Sequence, residues 1–131
     1  LLTDQVTASE ALLDLYDACG QEVYLDMPQE LMAYCEHEMW EDRRGFRDRS
    51  RLPLADPDGP IGLLQEPYYP FGLNCRAAGV LARLASQLED ARYRTLAVRT
   101  LASQTAVYQQ HGLDGAAYVL ASARVEAVGC M

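Results

Sequence analysis

The side chains best suited to chemistry are five carboxylates and amides that lie near predicted helix starts or in an irregular connection. They are Asp4, Gln5, Asp48, Glu66 and Asn74. Two carboxyl groups about 5 Å or about 6.5–9.5 Å apart could act as acid and base or as nucleophile on a sugar. The same residue types also cap helices and hold loops. Sequence does not give the distances, so both interpretations stay open.

The histidines and cysteines give weaker patterns. Cys35 and His37 are two residues apart, so on a helix they point to different faces and predict no metal site. His111 follows a predicted helix, where it could favour the C-terminal dipole. The cysteines form no CxxC pair and fit no zinc spacing, so we expect reduced thiols in or near a helical core. They are Cys19, Cys35, Cys75 and Cys130.

Length and composition limit the classes of function that the chain could have. The 131 residues suffice for one domain with one core, and half of them are apolar. A net charge of -8 argues against a nucleic-acid partner, and the longest apolar runs are too short to span a membrane. The chain contains no Lys, which excludes Schiff-base chemistry. We expect a cytoplasmic fragment of a longer protein that needs no cofactor.

Charge is unevenly distributed along the chain. Residues 1–42 contain eleven acidic residues and no Lys or Arg, whereas residues 43–51 contain five arginines. These arginines could bind an anionic ligand. Alternatively, they offset the acidic segment that precedes them, and the sequence favours this second interpretation.

Apolar periodicity predicts five helices, with Asp4 or Thr7 capping the first and Gly20 ending it in a left-handed conformation. Pro28 should kink or restart the second helix, and residues 124–129 could run extended. The predicted helices are Asp4–Gly20, Gln21–Trp40, Phe71–Gln87, Asp90–Gln110 and Leu113–Ser122. The predicted buried face of the first comprises Ala8, Ala11, Leu12, Leu15, Tyr16 and Cys19.

Residues 42–70 form one long irregular connection, in which Gly45–Asp48 and Ile61–Leu64 could be short extended pieces. Connections of this length in a compact domain are often functional. On either side of it, Leu12–Leu25 and Leu81–Arg94 read as copies of one helical hairpin, 69 residues apart. Paired helices with a long connection between pairs are typical of an α/α toroid or solenoid. In a toroid the five polar residues would line the central cavity.

Several segments fall in the order and spacing of a known family. They are LLTDQ (1–5), ALLDLYDACGQEVYL (11–25), MWEDRRGFRDR (39–49), GPIGLLQEPYYPFGLNCRAAGVLARLA (59–85), ARYRTLAVRTL (91–101) and HGLDGAAYVLA (111–121). Together they resemble the C-terminal part of bacterial thioredoxin-domain-containing proteins. There a thioredoxin-like domain precedes a six-hairpin (α/α)6 toroid similar to N-acylglucosamine 2-epimerases and six-hairpin glycosidases.

The resemblance implies an all-α segment of such a toroid, about two and a half hairpins long, that could bind a sugar or small molecule without being catalytically complete. Arg44 stands where the family has one of two paired glycines, and Leu73 where an acid or Gly is common, so ligand contacts there are not carried over. The alternative is a non-catalytic helical interaction module. In either case we expect self-association or packing against the rest of the parent chain.

Overall fold

The computed structural model describes residues 1–50, 68–105 and 115–129, which are mostly helical as predicted. The predicted extended piece Ile61–Leu64 and the ends of two predicted helices at 106–114 lie outside these ranges. The described elements are α1 (Leu2–Cys19), α2 (Val23–Met39), β1 (Trp40–Glu41), β2 (Gly45–Phe46), α3 (Phe71–Leu88), α4 (Ala91–Gln104) and α5 (Gly115–Gly129).

The helices pack as hairpins around α3. Short turns join α1 to α2 and α3 to α4, and each pair packs closely, while α3 also contacts α1 and α5. Most residues of α3 are buried, because small side chains such as Ala77, Ala78 and Ala82 admit its neighbours. This part of the all-α prediction is confirmed.

Helix α1 begins differently from the prediction that Asp4 or Thr7 caps it. It starts at Leu2, and no side chain caps it. The Leu2 N–H instead donates to the backbone oxygen of Asp48 at 2.9 Å, so a tertiary contact satisfies one of the free amides of the first turn. The other end is as predicted: Gly20 is left-handed (φ 70°) and its N–H donates to the Tyr16 oxygen at 2.7 Å.

One prediction about helix continuity is corrected, and for the other the structure excludes one of two alternatives. Residues 124–129 do not run extended, because α5 continues to Gly129. The Ala, Arg and Glu residues there favour helix, and Val125 is buried in the core. Helix α2 passes through Pro28 without a restart, and Pro28 is buried.

The predicted buried face of α1 is also wrong. Its buried residues are Leu2, Val6, Ser9 and Leu13. The predicted positions Ala8, Ala11, Leu15 and Cys19 are exposed, and only Leu12 and Tyr16 of that set are half-buried. The face that meets α2 and α3 is rotated away from the most continuous apolar stripe, which therefore remains at the surface.

The 69-residue repeat is realised as physical adjacency of α1 and α3. The Arg76 Nη2 donates to Thr7 Oγ1 at 3.1 Å, and Arg83 Nη2 lies 2.9 Å from Asp14 Oδ1, both between residues 69 apart. Since these contacts advance along both helices together, α1 and α3 run parallel. Towards their C-terminal ends, the Gln87 amide donates to Asp17 Oδ1 at 3.3 Å.

Helix α5 continues this parallel row on another side of α3. The rings of Phe71 and Tyr118 stack with centroids 6.5 Å apart at the start of α3. Two turns later, a Cβ on Gly79 would lie 3.2 Å from a guanidinium nitrogen of Arg124. The contacts again advance in the same direction along both helices, so α1, α3 and α5 are parallel.

A two-stranded hairpin follows α2. It pairs Trp40 with Phe46 and Glu41 with Gly45 in antiparallel register. Arg43 (φ 69°) and Gly45 (φ 88°) both adopt the left-handed region that this tight turn requires. The predicted strand thus begins at Gly45 but ends at Phe46, and the fold places it against α3 and α4.

We expect Gly45→Ala to destabilise the protein more than Gly20→Ala. Both glycines have positive φ, which costs an alanine about 1 kcal/mol. A Cβ at Gly20 would meet nothing within 4 Å, whereas one at Gly45 would lie 2.5 Å from Asn74 Oδ1 and 2.8 Å from Ser103 Oγ. The overpacking should add about 1–3 kcal/mol at Gly45. Urea denaturation followed by circular dichroism measures the stability of both variants. Equal losses of stability would contradict the close approach of Gly45 to Asn74 and Ser103.

Candidate functional site

Four of the five predicted site residues belong to the same end of the helix row, where α1 and α3 begin. The Asp4 carboxylate is 68% exposed. Gln5 is half-buried. The Asp48 carboxylate, also half-buried, accepts from Arg49 Nε at 3.2 Å and Nη2 at 3.1 Å. The fifth, Glu66, lies outside the described residues.

The backbone of Asp48 explains why these residues meet at one end. Its N–H donates to the oxygen of Tyr68 at 2.8 Å, and its oxygen accepts from Leu2 N–H. The segment that follows β2 is thereby hydrogen-bonded both to the start of α1 and to the segment that leads into α3.

Asn74 is fully buried, and its side chain holds the hairpin to the first turn of α3. Its Oδ1 accepts from Phe46 N–H at 2.7 Å, while Nδ2 donates to the backbone oxygens of Phe46 at 3.0 Å and Pro70 at 2.9 Å. Both amide protons are therefore engaged with backbone. This arrangement makes Asn74 a structural residue with no donor left for a ligand.

A second polar group on this end was not predicted, and we call it the hairpin cluster: Glu41, Arg44, Arg47 and Tyr69. The Tyr69 hydroxyl donates to Glu41 Oε2, and Arg47 Nη1 lies 3.5 Å from Glu41 Oε1. The Arg44 guanidinium carbon lies 5.6 Å from the centre of the Tyr69 ring. Arg47 Nε is buried and has no hydrogen-bond partner among the described residues.

The electrostatics of the hairpin cluster keep the tyrosine protonated. Burial, followed by the hydrogen bond to Glu41, raises the pKa of Tyr69 above its usual value of 10. Since the pKa is raised in the folded state, this contribution to stability is intact below pH 10 and is lost as pH rises further. At neutral pH Tyr69 is therefore a hydrogen-bond donor, and its acceptor Glu41 is also contacted by Arg47.

The local sequence contains a weak signal for this cluster. Glu41 and Arg47 flank the turn in a Trp-Glu-Asp…Gly-Phe-Arg-Asp pattern, so a hairpin would bring them near each other. The approach of Tyr69, 28 residues away from Glu41, depends on how the connection returns to α3. Periodicity carries no information about that return path.

Several of the clustered arginines have local partners. Arg44 lies over Tyr69, Arg47 faces Glu41 and Arg49 binds Asp48. Of these three contacts, the one between Arg47 and Glu41 joins the arginines to the acidic segment 1–42. His37 is exposed and pairs with Glu38 at 3.0 Å, and no group of three or more metal-binding side chains occurs among the described residues.

A groove of about 460 Å³ lies at the opposite end of the row, between α1, α3 and α5. Its lining includes Asp14, Asp17, Arg83, Ser86, Arg124 and Val128. Arg83 Nη2 lies 2.9 Å from a carboxylate oxygen of both Asp14 and Asp17, so one guanidinium bridges two carboxylates. None of the described candidate residues predicted from sequence lines this groove.

Comparison of the chain with protein-family models, with curated proteins and with solved structures finds no match. In the described residues, no helix has both the length and the apolar character needed to cross a membrane.

We expect Asn74→Ala to lower the free energy of unfolding by about 3 kcal/mol, because it leaves the N–H and oxygen of Phe46 buried without partners. Asn74→Asp should cost more, since a carboxylate would then face two backbone oxygens. Gln29→Ala is the control: it removes one part-buried hydrogen bond, from the Gln29 amide to the Leu25 oxygen within α2. Urea titration compares the stability of the three variants. If Asn74→Ala loses no more stability than Gln29→Ala, the hydrogen bonds of Asn74 do not hold the hairpin as described.

We expect the described cysteines to differ in how fast they are alkylated. Burial raises the pKa of Cys35 and Cys75 to about 11, whereas Cys19 is exposed. At pH 8 the two buried thiols would be on the order of 0.1% thiolate and shielded from reagent. Peptide mapping after brief iodoacetamide treatment should find Cys19 modified and Cys35 and Cys75 intact until urea is added. Equal labelling in the folded protein would refute this.

Proposed function

We propose that this chain is a wall segment of an α/α toroid of the six-hairpin type, as its resemblance to thioredoxin-domain-containing proteins implies. The observation that supports this is the parallel row of α1, α3 and α5, in which residues 69 apart lie side by side. Successive hairpins of an α/α repeat stack by such a translation. Ring closure and the identity of the parent belong to the proposal.

The ligand we propose is a carbohydrate bound at the end of the row where α1 and α3 begin. The hairpin cluster offers a tyrosine hydroxyl, arginine N–H groups and a carboxylate, which suit the mixed donors and acceptors of sugar hydroxyls. Tyr68 adds a ring that is 63% exposed. A few oriented polar groups beside an aromatic surface are typical of small-ligand sites.

We propose that this segment binds and does not catalyse on its own. Acid–base work on a sugar needs two carboxyl groups with different protonation states. Asp48 and Glu41 are instead each engaged by an arginine in the same way. Asn74 has its amide protons engaged with backbone.

The second candidate is a non-catalytic helical interaction module. Exposed large apolar side chains on the first hairpin support it, among them Leu15, Met27 and Tyr34. Such a module would need the helix faces and not the hairpin cluster.

Intrinsic fluorescence tests the carbohydrate proposal. Trp40 is the single tryptophan of the chain and its ring lies 5.2 Å from Phe46 in the hairpin, so it reports on this end. Titration with a panel of neutral and amino-sugar oligosaccharides should give saturable changes for at least one. Tyr68→Ala should weaken that binding about tenfold, or ~1.4 kcal/mol.

Tyr34→Ala is the matched control, because Tyr34 is an exposed tyrosine on α2. It should leave the affinity unchanged. Failure of the whole panel to bind would favour the interaction module, and equal losses in the two variants would show that binding does not occur at the hairpin end.

A further inference from the structure

The hairpin of β1 and β2 carries positive charge in a chain that is otherwise acidic. Residues 40–49 contain four arginines and three acids, whereas the whole chain has a net charge of -8. Whether an anionic group could bind here depends on which of these charges already have partners.

All three acids of this segment are contacted by an arginine. One of the partners comes from α4, so two of the four arginines in the segment are not needed to pair the acids. The pairs, with their N to O distances, are Asp42 with Arg99 at 2.6 Å, Glu41 with Arg47 at 3.5 Å and Asp48 with Arg49 at 3.1 Å.

The two remaining arginines are Arg43 and Arg44. Both are exposed, and neither forms an ion pair within the described residues. The guanidinium of Arg44 lies over the ring of Tyr69, its only partner in the described part of the chain. Because Tyr69 is uncharged at neutral pH, this contact leaves the positive charge of Arg44 unpaired. A guanidinium has five N–H groups, so several remain for a ligand.

Of these two arginines, Arg44 has the better surroundings for a sugar. It belongs to the hairpin cluster and lies near the tyrosine hydroxyl and the exposed ring of Tyr68. Arg43 instead lines a recess of about 230 Å³ with Asp42 and Arg99, where the carboxylate of Asp42 would repel an anion.

The charge of the hairpin cluster indicates what kind of anion fits. Its two arginines and one glutamate sum to a formal charge of +1. A single carboxylate would balance this charge, and its two oxygens match the planar fork of a guanidinium. A phosphate monoester carries about -1.5 to -2 at neutral pH and would leave excess negative charge beside Glu41.

We propose that the sugar bound at the hairpin cluster carries a carboxylate, as uronic acids do, and that Arg44 binds this group. The inference rests on the carbohydrate proposal above and names the class of sugar. In this arrangement Arg44 selects the acidic sugar, while Tyr68 and the Tyr69 hydroxyl contact the uncharged part of the ligand.

Matched pairs of oligosaccharides test the proposal through the fluorescence of Trp40. Each pair comprises a uronate oligomer, of galacturonate or of glucuronate, and its methyl ester, which has the same rings without the charge. The acid should bind about tenfold more tightly than the ester, because hydrogen bonds to charged groups are the stronger ones. Added salt should reduce this difference.

Arg44→Gln should abolish the preference for the acid and leave the affinity for the ester unchanged. Arg94→Gln is the matched control: Arg94 is an exposed arginine of α4 with no ion pair in the described ranges, and it lies outside the hairpin cluster. It removes the same charge from the protein and should retain the full preference. Circular dichroism should find both variants folded, since both side chains are exposed.

The outcomes distinguish this inference from the proposal on which it rests. If the acid and the ester bind equally well, the protein binds carbohydrate but does not select a carboxylate. If no oligosaccharide binds, both proposals fail. An equal loss of preference in Arg94→Gln would show only a general effect of charge, and tighter binding of phosphorylated than of uronate oligomers would contradict the choice of a carboxylate.

Discussion

The buried carboxamide of Asn74 links three parts of the backbone at the point where the two hairpins meet. It pairs with both backbone groups of Phe46 and with the oxygen of Pro70, so the strand after the turn is held against the first turn of α3. Two residues beyond the strand, the backbone oxygen of Asp48 accepts from the N–H of Leu2 at the start of α1. Through these two steps, one side chain sets the position of the first hairpin relative to the second.

The same contact explains the glycine beside it. Gly45 adopts a positive φ and lies so close to Asn74 and Ser103 that a Cβ would overlap both. Only a residue without a side chain lets the strand reach the carboxamide. Turn geometry, the approach of α4 and the polar network around Glu41 therefore depend on one another at this end of the helix row.

Charged and partly exposed side chains also join α1 to α3. Pairs of this kind contribute little stability individually, because water screens them and ordering the side chains costs entropy. These ion pairs instead fix the axial alignment of the two parallel helices. Arg76 binds Glu10, and Arg83 binds Asp14 and Asp17 further along α1. The apolar core around α3 supplies the stability that this alignment requires.

Much of the helical pattern could be predicted from the sequence, because helix ends carry local signals. Gly20 ends α1 and Asp90 caps α4, where its Oδ1 accepts from Arg92 N–H at 2.9 Å. The candidate site was predictable only in part. Asp4, Gln5, Asp48 and Asn74 do belong to one end, but sequence could not distinguish a ligand-binding Asn74 from one whose amide holds backbone.

By itself, the sequence determined where helices form, where the first one ends and which segments repeat, since these depend on residues close in the chain. Tertiary structure decided which face of α1 is buried, that α5 continues to Gly129, and that Tyr69 meets Glu41. Periodicity marks an apolar stripe, but burial requires a neighbour. For Leu15 the described chain provides none, whereas for its equivalent Leu84 it does.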